Sequence, residues 1–198
     1  MSLRIFALRH GSTAWNQQKR LQGRRDIPLS EKGIQALENL TIPSRFSQLQ
    51  WYCSPLQRTR QSAELLNISR YQLETALLEM DWGAWEGECL PDLRIRLGRS
   101  MQQQESRGLD LQPPGGESPR QVRERLLIWL AQLPSQPDIG IICHKGVLRS
   151  LLSEALDWDM KTDCPVKVDW HRGLLFQWHG DSGLILEEHN ISLQEVPC

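Results

Sequence analysis

Short apolar runs bounded by turn residues alternate along this chain with segments whose apolar side chains recur at helical spacing. That pattern belongs to a mainly parallel sheet covered by helices on both faces. The first run, Leu3-Arg4-Ile5-Phe6-Ala7-Leu8, predicts a strand over residues 3–9 that ends at Arg9-His10-Gly11. Ser30 is an N-cap candidate for a helix over 31–40, where Ile34, Leu37 and Leu40 form an apolar stripe. A second strand is expected over 50–53. Pro55 stands at a helix start, so 56–66 reads as helical, with Arg58 and Arg60 near its amino end. Residues 73–78 fit either period and lead to Glu79.

Residues 90–114 are polar, carry Arg94, Arg96, Arg99 and Arg107, and break at Pro113-Pro114-Gly115-Gly116. They predict a short helical excursion, a lid over the sheet. Amphipathic spacing returns over 118–133, a short buried strand is expected over 138–143, and 147–156 reads as the helix after it. In the last third, Val166-Lys167-Val168 and residues 173–178 suggest one or two edge strands before a tail at 187–193. Repeats, heptads and long linkers are absent from the sequence, and its 198 residues fit one domain able to bury a sizeable core without staples.

Composition narrows the function classes. Twenty-three Lys plus Arg against 24 Asp plus Glu give a formal charge of −1, which favours neither a nucleic acid nor a membrane as partner. The chain enters strand-like sequence at once, without a signal peptide or a run of membrane-spanning length, so a cytoplasmic protein is expected. Five cysteines, odd in number and without a Cys-x-x-Cys pair, argue for reduced thiols. His10, His144, His171, His179 and His189 include no His-x-x-x-His pair, so neither a metal nor another cofactor is expected. Eight tryptophans are many for this length. Most are expected in the core and pocket walls, with a homodimer interface as the alternative for any exposed cluster.

The chemistry concentrates at the end of the first strand, where open α/β sheets bind ligands. Arg9-His10-Gly11-Ser12-Thr13-Ala14-Trp15-Asn16, followed by Gln22-Gly23, Asp26 and Pro28-Leu29-Ser30, resembles the N-terminal signature of the histidine phosphatase superfamily, phosphoglycerate-mutase-like branch. The resemblance extends to Ser54-Pro55-Leu56-Gln57-Arg58, to Leu78-Glu79-Met80-Asp81-Trp82-Gly83, to Gly115-Gly116-Glu117-Ser118 and to His144 at the end of the 138–143 run. It implies a three-layer α/β fold and a phosphomonoester hydrolase acting on a small phosphorylated metabolite through a phosphohistidine. A neutral imidazole is a competent nucleophile toward phosphorus, and His10 takes that role, its other ring nitrogen donating to a fixed acceptor. Arg9 and Arg58 supply donors and positive charge for the transferring phosphoryl group. His144 is the family's second histidine, and Glu79 is the acid that protonates the leaving oxygen and then the base that activates water. Asp81 and Glu86 are its rivals. Thr13, Asn16, Gln22 and Gly23 are carried over as pocket residues. Lys145 stands where many relatives have glycine, adding a cation beside the ligand. The alternatives are a bisphosphoglycerate-dependent phosphoglycerate mutase, with the lid arginines holding a second anion, and a non-catalytic phosphate-binding domain.

A rival motif occupies the same chain. Cys143-His144-Lys145-Gly146-Val147-Leu148-Arg149-Ser150 fits the Cys-x5-Arg loop of cysteine-dependent phosphatases. Neighbours on a strand point to opposite faces, so His144 in the pocket directs Cys143 away from it.

Overall fold

In a computed structural model that describes residues 2–134 and 137–195, the first apolar run is strand β1 (Leu3–Arg9), buried on both sides. Ile5 and Ala7 join one core cluster while Phe6 and Leu8 join another, which requires a central strand in a sheet covered on both faces. The chain continues through short helices α1 (Ala14–Gln17) and α2 (Glu31–Gln35), strands β2 (Leu40–Thr41) and β3 (Gln50–Cys53), helix α3 (Gln57–Leu65) and strand β4 (Gln72–Leu73). Helices α4 (Leu90–Leu97), α5 (Arg99–Glu105) and α6 (Pro119–Gln132) precede strand β5 (Ile139–Cys143) and helix α7 (Lys145–Ala155). Strands β6 (Gly173–Trp178), β7 (Leu184–Ile191) and β8 (Gln194–Glu195) follow.

Six strands form one sheet in the order β4-β3-β5-β1-β6-β7, and β2 pairs with β8 separately. Strands β4, β3, β5 and β1 run parallel, whereas β6 and β7 are antiparallel additions. Helices α6 and α7 bury Val122, Leu126, Leu130, Val147, Leu148 and Leu152 against one face, and α3 brings Ala63 and Leu66 to the other. The result is the expected three-layer, mostly parallel α/β architecture. Local chemistry agrees with it: Ser118 caps α6 in a reciprocal box with Gln121, and Pro119 takes the first helical position.

Several expectations are corrected. Helix α2 stops at Gln35 rather than Leu40, because Leu40 leaves to pair with Glu195 while Leu37 and Leu40 still pack on the second cluster. Residues 73–78 resolve into the end of β4 and a single 3-10 turn, Thr75–Leu77. Val166-Lys167-Val168 forms no strand. The Asn190 side chain takes the hydrogen bonds a ladder would have supplied, donating to Lys167 O at 2.9 Å and accepting from Asp169 N at 2.7 Å. Strand β6 is internal, paired with β1 and β7, and much of the expected tail is β7, the true edge. None of the eight tryptophans is exposed, so they offer no apolar surface cluster.

Register positions the site. Arg9 lies across from Cys143, and His10 N donates to Cys143 O at 3.0 Å. Ser54 N donates to Ile142 O, also at 3.0 Å. The carboxyl ends of three adjacent parallel strands thus bring His10, His144 and Ser54 to one place.

Candidate active site

His10 is 6% exposed, and its Nδ1 lies 2.6 Å from the carbonyl oxygen of Gly11. A carbonyl only accepts, so Nδ1 carries the proton and Nε2 keeps a free lone pair. Among the described residues Nε2 has no hydrogen-bond partner, and His10 lines the cavity. Burial, then the charges of Arg9 and Arg58, push this imidazole well below its usual pKa, outweighing the opposing Gly11 carbonyl. The loop that follows is tied down locally. Gly11 N donates to Ser62 Oγ on α3 at 2.9 Å, and Thr13 and Asn16 close a reciprocal cap on α1.

Arg58, on the first turn of α3, is fully buried. Its fork donates to Gly23 O and Arg25 O, each at 2.8 Å, and through Nε to His144 Nδ1 at 3.2 Å. These acceptors orient the guanidinium; no carboxylate lies within 4 Å among the described residues, and burial lowers its pKa while the charges of Glu79, Asp26 and Glu86 oppose the shift. His144 is likewise fully buried, 5.1 Å from His10 between ring centroids, with Nε2 2.8 Å from Ser54 Oγ. Burial first, then Arg58 and His10, lower its basicity far below the usual imidazole range. Both ring nitrogens of His144 are therefore engaged by protein groups. Arg9 lines the cavity with Nε buried and unpartnered, and burial lowers its pKa while Glu79 opposes the shift.

Glu79 is 9% exposed and reaches the same cavity from the loop between two 3-10 turns. Its carboxylate accepts Met80 N at 2.8 Å and Gly146 N at 3.2 Å. Gly146 is the second residue of α7, so the carboxyl group is held against that helix's amino end by two backbone donors. A β-carbon at 146 would occupy the place of Glu79 Oε1. The rival acids are engaged elsewhere: Asp81 caps Gly83 N, and Glu86 accepts Arg24 N and pairs with Arg25.

The cavity, about 760 Å³, is much larger than a phosphate. Asn16, Gln22 and Lys145 line it, and the buried Oε1 of Gln22 has no partner. Thr13 and Gly23 act from behind the wall instead. Thr13 caps α1, and Gly23, at φ +56°, presents its carbonyl to Arg58 while leaving the space a side chain would need to Glu86. Of the lid arginines only Arg94 lines the cavity, and it is paired with Glu105 at 2.7 Å. Arg96 pairs with Glu88. Sequence reasoning misses Ser54, although it stands inside the quoted Ser54-Pro55 motif, and the wall at Met160-Lys161-Thr162-Asp163, which no motif marks. It also assigns no role in the pocket to Arg149, which lines the cavity with its guanidinium 4.8 Å from the Trp158 ring.

Cys143 belongs to the core cluster beneath α7 and is fully buried. Burial, reinforced by the Glu79 charge, pushes its thiol well above the usual range, opposite to what a thiolate nucleophile needs. Among the described residues no group of three His, Cys, Asp or Glu side chains is arranged to hold a metal ion, and no helix is long and apolar enough to cross a membrane.

The chain is 31% identical over 156 residues to 6-phosphofructo-2-kinase/fructose-2,6-bisphosphatase 1 of Mus musculus, a match spanning 77% of this chain but only 32% of the mouse protein. Among solved structures, TTHB049 from Thermus thermophilus superposes with a TM-score of 0.73 at 28% identity, covering 96% of this chain and all of that one. Bacillus stearothermophilus YhfR shares the fold with a TM-score of 0.80 at 23% identity, over 96% of this chain and 98% of its own. So does the mycobacterial glucosyl-3-phosphoglycerate phosphatase Rv2419c, at 0.75 and 24%, over 96% of this chain and all of that one. The family model for branch 1 matches residues 5–188, spanning the strand-end histidines, Arg58 and Glu79, and by that match the chain belongs to the histidine phosphatase superfamily.

Proposed function

We propose that this chain hydrolyses phosphomonoesters of a small metabolite through a phosphohistidine formed on His10. The observation that carries the reading is the pairing of His10 Nδ1 with the Gly11 carbonyl, which leaves Nε2 as a neutral, unpartnered nucleophile inside the cavity. Nε2 attacks phosphorus and the ester P–O bond breaks, while Arg9 and Arg58 stabilise charge on the equatorial oxygens. Glu79, protonated for this step, gives its proton to the departing alkoxide. The resulting carboxylate then takes a proton from water as its oxygen attacks phosphorus, the N–P bond breaks, and His10 and inorganic phosphate are released. His144, held by Arg58 and Ser54, supports the phosphoryl site from behind.

The leaving group is expected to carry a second anionic group. Lys145 and Arg149, one turn apart on α7, both line the cavity and have no carboxylate within 4 Å among the described residues. A sugar or organic-acid phosphate meets that requirement, and the fructose-2,6-bisphosphatase relatives make it a natural first class to screen. The pairing of Arg94 and Arg96 with acids of their own favours hydrolysis over a mutase holding a bisphosphate under the lid. Free thiols at Cys53, Cys89, Cys143 and Cys164 support work in a reducing cytoplasm.

The test is metal-free hydrolysis of an aryl phosphate by wild type, His10→Ala and Cys143→Ser, with an alkaline denaturing quench that preserves phosphohistidine. Loss of turnover and of phosphoenzyme in His10→Ala alone is the expected result. Turnover by His10→Ala with an inactive Cys143→Ser would sink the proposal.

A further inference from the structure

Arg125, in the middle of α6, is a charged residue that the reaction above leaves unused, and its side chain is only 20% exposed. The two terminal nitrogens of its fork donate to the carbonyl oxygens of Ala76 and Leu78, the latter at 2.6 Å. Its Nε donates to Glu117 Oε1 at 3.2 Å. Glu117 in turn accepts Asp81 N through Oε2 at 3.0 Å, while its own amide donates to Asp81 O at 2.8 Å. Arg24 closes the cluster, 3.0 Å from Glu117 and 3.8 Å from Asp81.

The backbone is thus held on both sides of Glu79, at the carbonyls of residues 76 and 78 before it and at both polar groups of residue 81 after it. Neither Arg125 nor Glu117 lines the cavity, so any effect on chemistry passes through the loop they hold. Burial works against the Glu117 carboxylate, yet Arg125, the Asp81 amide and Arg24 together keep its pKa below the usual value, so an anion is fixed there. A planar fork presents its donors in fixed, widely spaced directions that match these separated acceptors, whereas an ammonium group concentrates its donors at one point. Catalysis is sensitive at this scale, since misplacing a reacting group by about 1 Å costs on the order of 100-fold in rate.

From this arrangement we propose that Arg125 is a positioning residue for the Glu79 acid, clamping its loop directly and through Glu117 so that the carboxylate stays on the amino end of α7. The inference rests on Glu79 being the proton donor. It also predicts something that a plain structural tether does not: the penalty for losing Arg125 depends on how much the leaving group needs a proton.

The experiment compares wild type, Arg125→Gln, Arg125→Lys, Glu117→Gln and Glu79→Gln on phosphomonoesters ranging from nitrophenyl to alkyl. It reads kcat/KM, the inhibition constant of inorganic phosphate, and Tm. Arg125→Gln is expected to lose about 10- to 100-fold on alkyl esters but no more than about 3-fold on nitrophenyl phosphate. Phosphate inhibition should stay within about twofold of wild type. Arg125→Lys should recover part of the loss, and Glu117→Gln should share the leaving-group dependence, so these two carry the test if Arg125→Gln does not fold. An equal loss on every ester, or none, with Glu79→Gln still dependent on the leaving group, would overturn the role of Arg125 alone. Indifference of Glu79→Gln to the leaving group would overturn the acid assignment and, with it, this inference.

Discussion

Replacing Gly146 by alanine separates the cost of the fold from the cost of the chemistry. A β-carbon there would overlap Glu79 Oε1 and stand 3.2 Å from the Glu79 carboxyl carbon and 3.3 Å from Met80 Cβ. Gly146 has no positive φ and lies within α7, so the backbone accepts alanine and gains up to about 1 kcal/mol of helix propensity. Against this, the carboxylate must rotate away and give up its 3.2 Å bond from Gly146 N, a loss of about 1.5–3 kcal/mol for a hydrogen bond to a charged group. The net destabilisation is about 1 kcal/mol, roughly 2–4 °C in Tm for a chain of this size. A carboxylate displaced by about 1 Å costs on the order of 100-fold, or about 2.7 kcal/mol of transition-state stabilisation. Gly146→Ala should therefore melt almost as wild type and turn over alkyl phosphates on the order of 100-fold more slowly. Thermal melts beside kcat/KM measurements check it. A rate within about 3-fold of wild type would refute the geometry, because no displaced acid should be so cheap.

Arg58→Lys cannot reproduce the bonds to Gly23 O, Arg25 O and His144 Nδ1, so kcat should fall about 10²- to 10³-fold and inorganic phosphate should inhibit more weakly, as steady-state kinetics will show. Because the pKa of His10 is pushed well below 6.5 by burial and then by Arg9 and Arg58, the acid limb of kcat/KM should lie below pH 6.5. Arg9→Gln removes one of those causes, and a pH profile should show the limb moving up. The same depression means that the unfolded chain takes up protons at His10 and His144 where the folded one does not, so stability should fall as pH drops below 6.5, measurable by urea melts across pH 5–8. Lys145→Met should raise KM about 10-fold for esters whose leaving group carries a second anion and leave nitrophenyl phosphate almost untouched. Equal KM changes on both would remove Lys145 from leaving-group recognition.

The parts of the site legible in the sequence are those that depend on local chemistry. An apolar run ending in Arg9-His10 announces a buried strand and its carboxyl end, and Ser118 with Gln121 announces a helix start. Register is not local. Nothing within β1 or β5 says that Arg9 faces Cys143, yet that pairing is what brings His10 beside His144. Helix α2 ends earlier than its spacing suggests for the same reason, since Leu37 and Leu40 keep helical spacing in sequence while Leu40 obeys a pairing with Glu195 near the other end of the chain. Val166-Lys167-Val168 has the alternation of a strand, but the Asn190 amide satisfies the backbone there instead. Arg125 is hidden differently. Arg120, Arg123 and Arg125 all sit on α6, and each is paired with a different acid, Asp110, Glu154 and Glu117. Only the approach of the acid loop makes one of them a clamp.

The site also departs from what stability alone would favour. Arg58 is fully buried without a carboxylate within 4 Å among the described residues, Arg9 Nε has no partner, and two neutral histidines lie near both. Burying charge without a directly paired acid is costly; the charges of Glu79, Asp26 and Glu86 offset part of it, and the apolar clusters beneath α3, α6 and α7 supply the rest. The polar groups of the site and the apolar clusters are therefore mostly different residues, although Met80, Trp82 and Leu111 belong to the cavity wall and to the core packing alike. A high TM-score reports the fold, since another chain can keep the sheet and lose the reaction by changing one strand-end side chain. The weight of the functional reading rests on the side chains this chain places at its strand ends and helix amino ends: a histidine with one free nitrogen, a guanidinium with no carboxylate within 4 Å among the described residues, and a carboxyl group held against α7. In the proposed reaction a dianionic phosphoryl group brings negative charge to these donors.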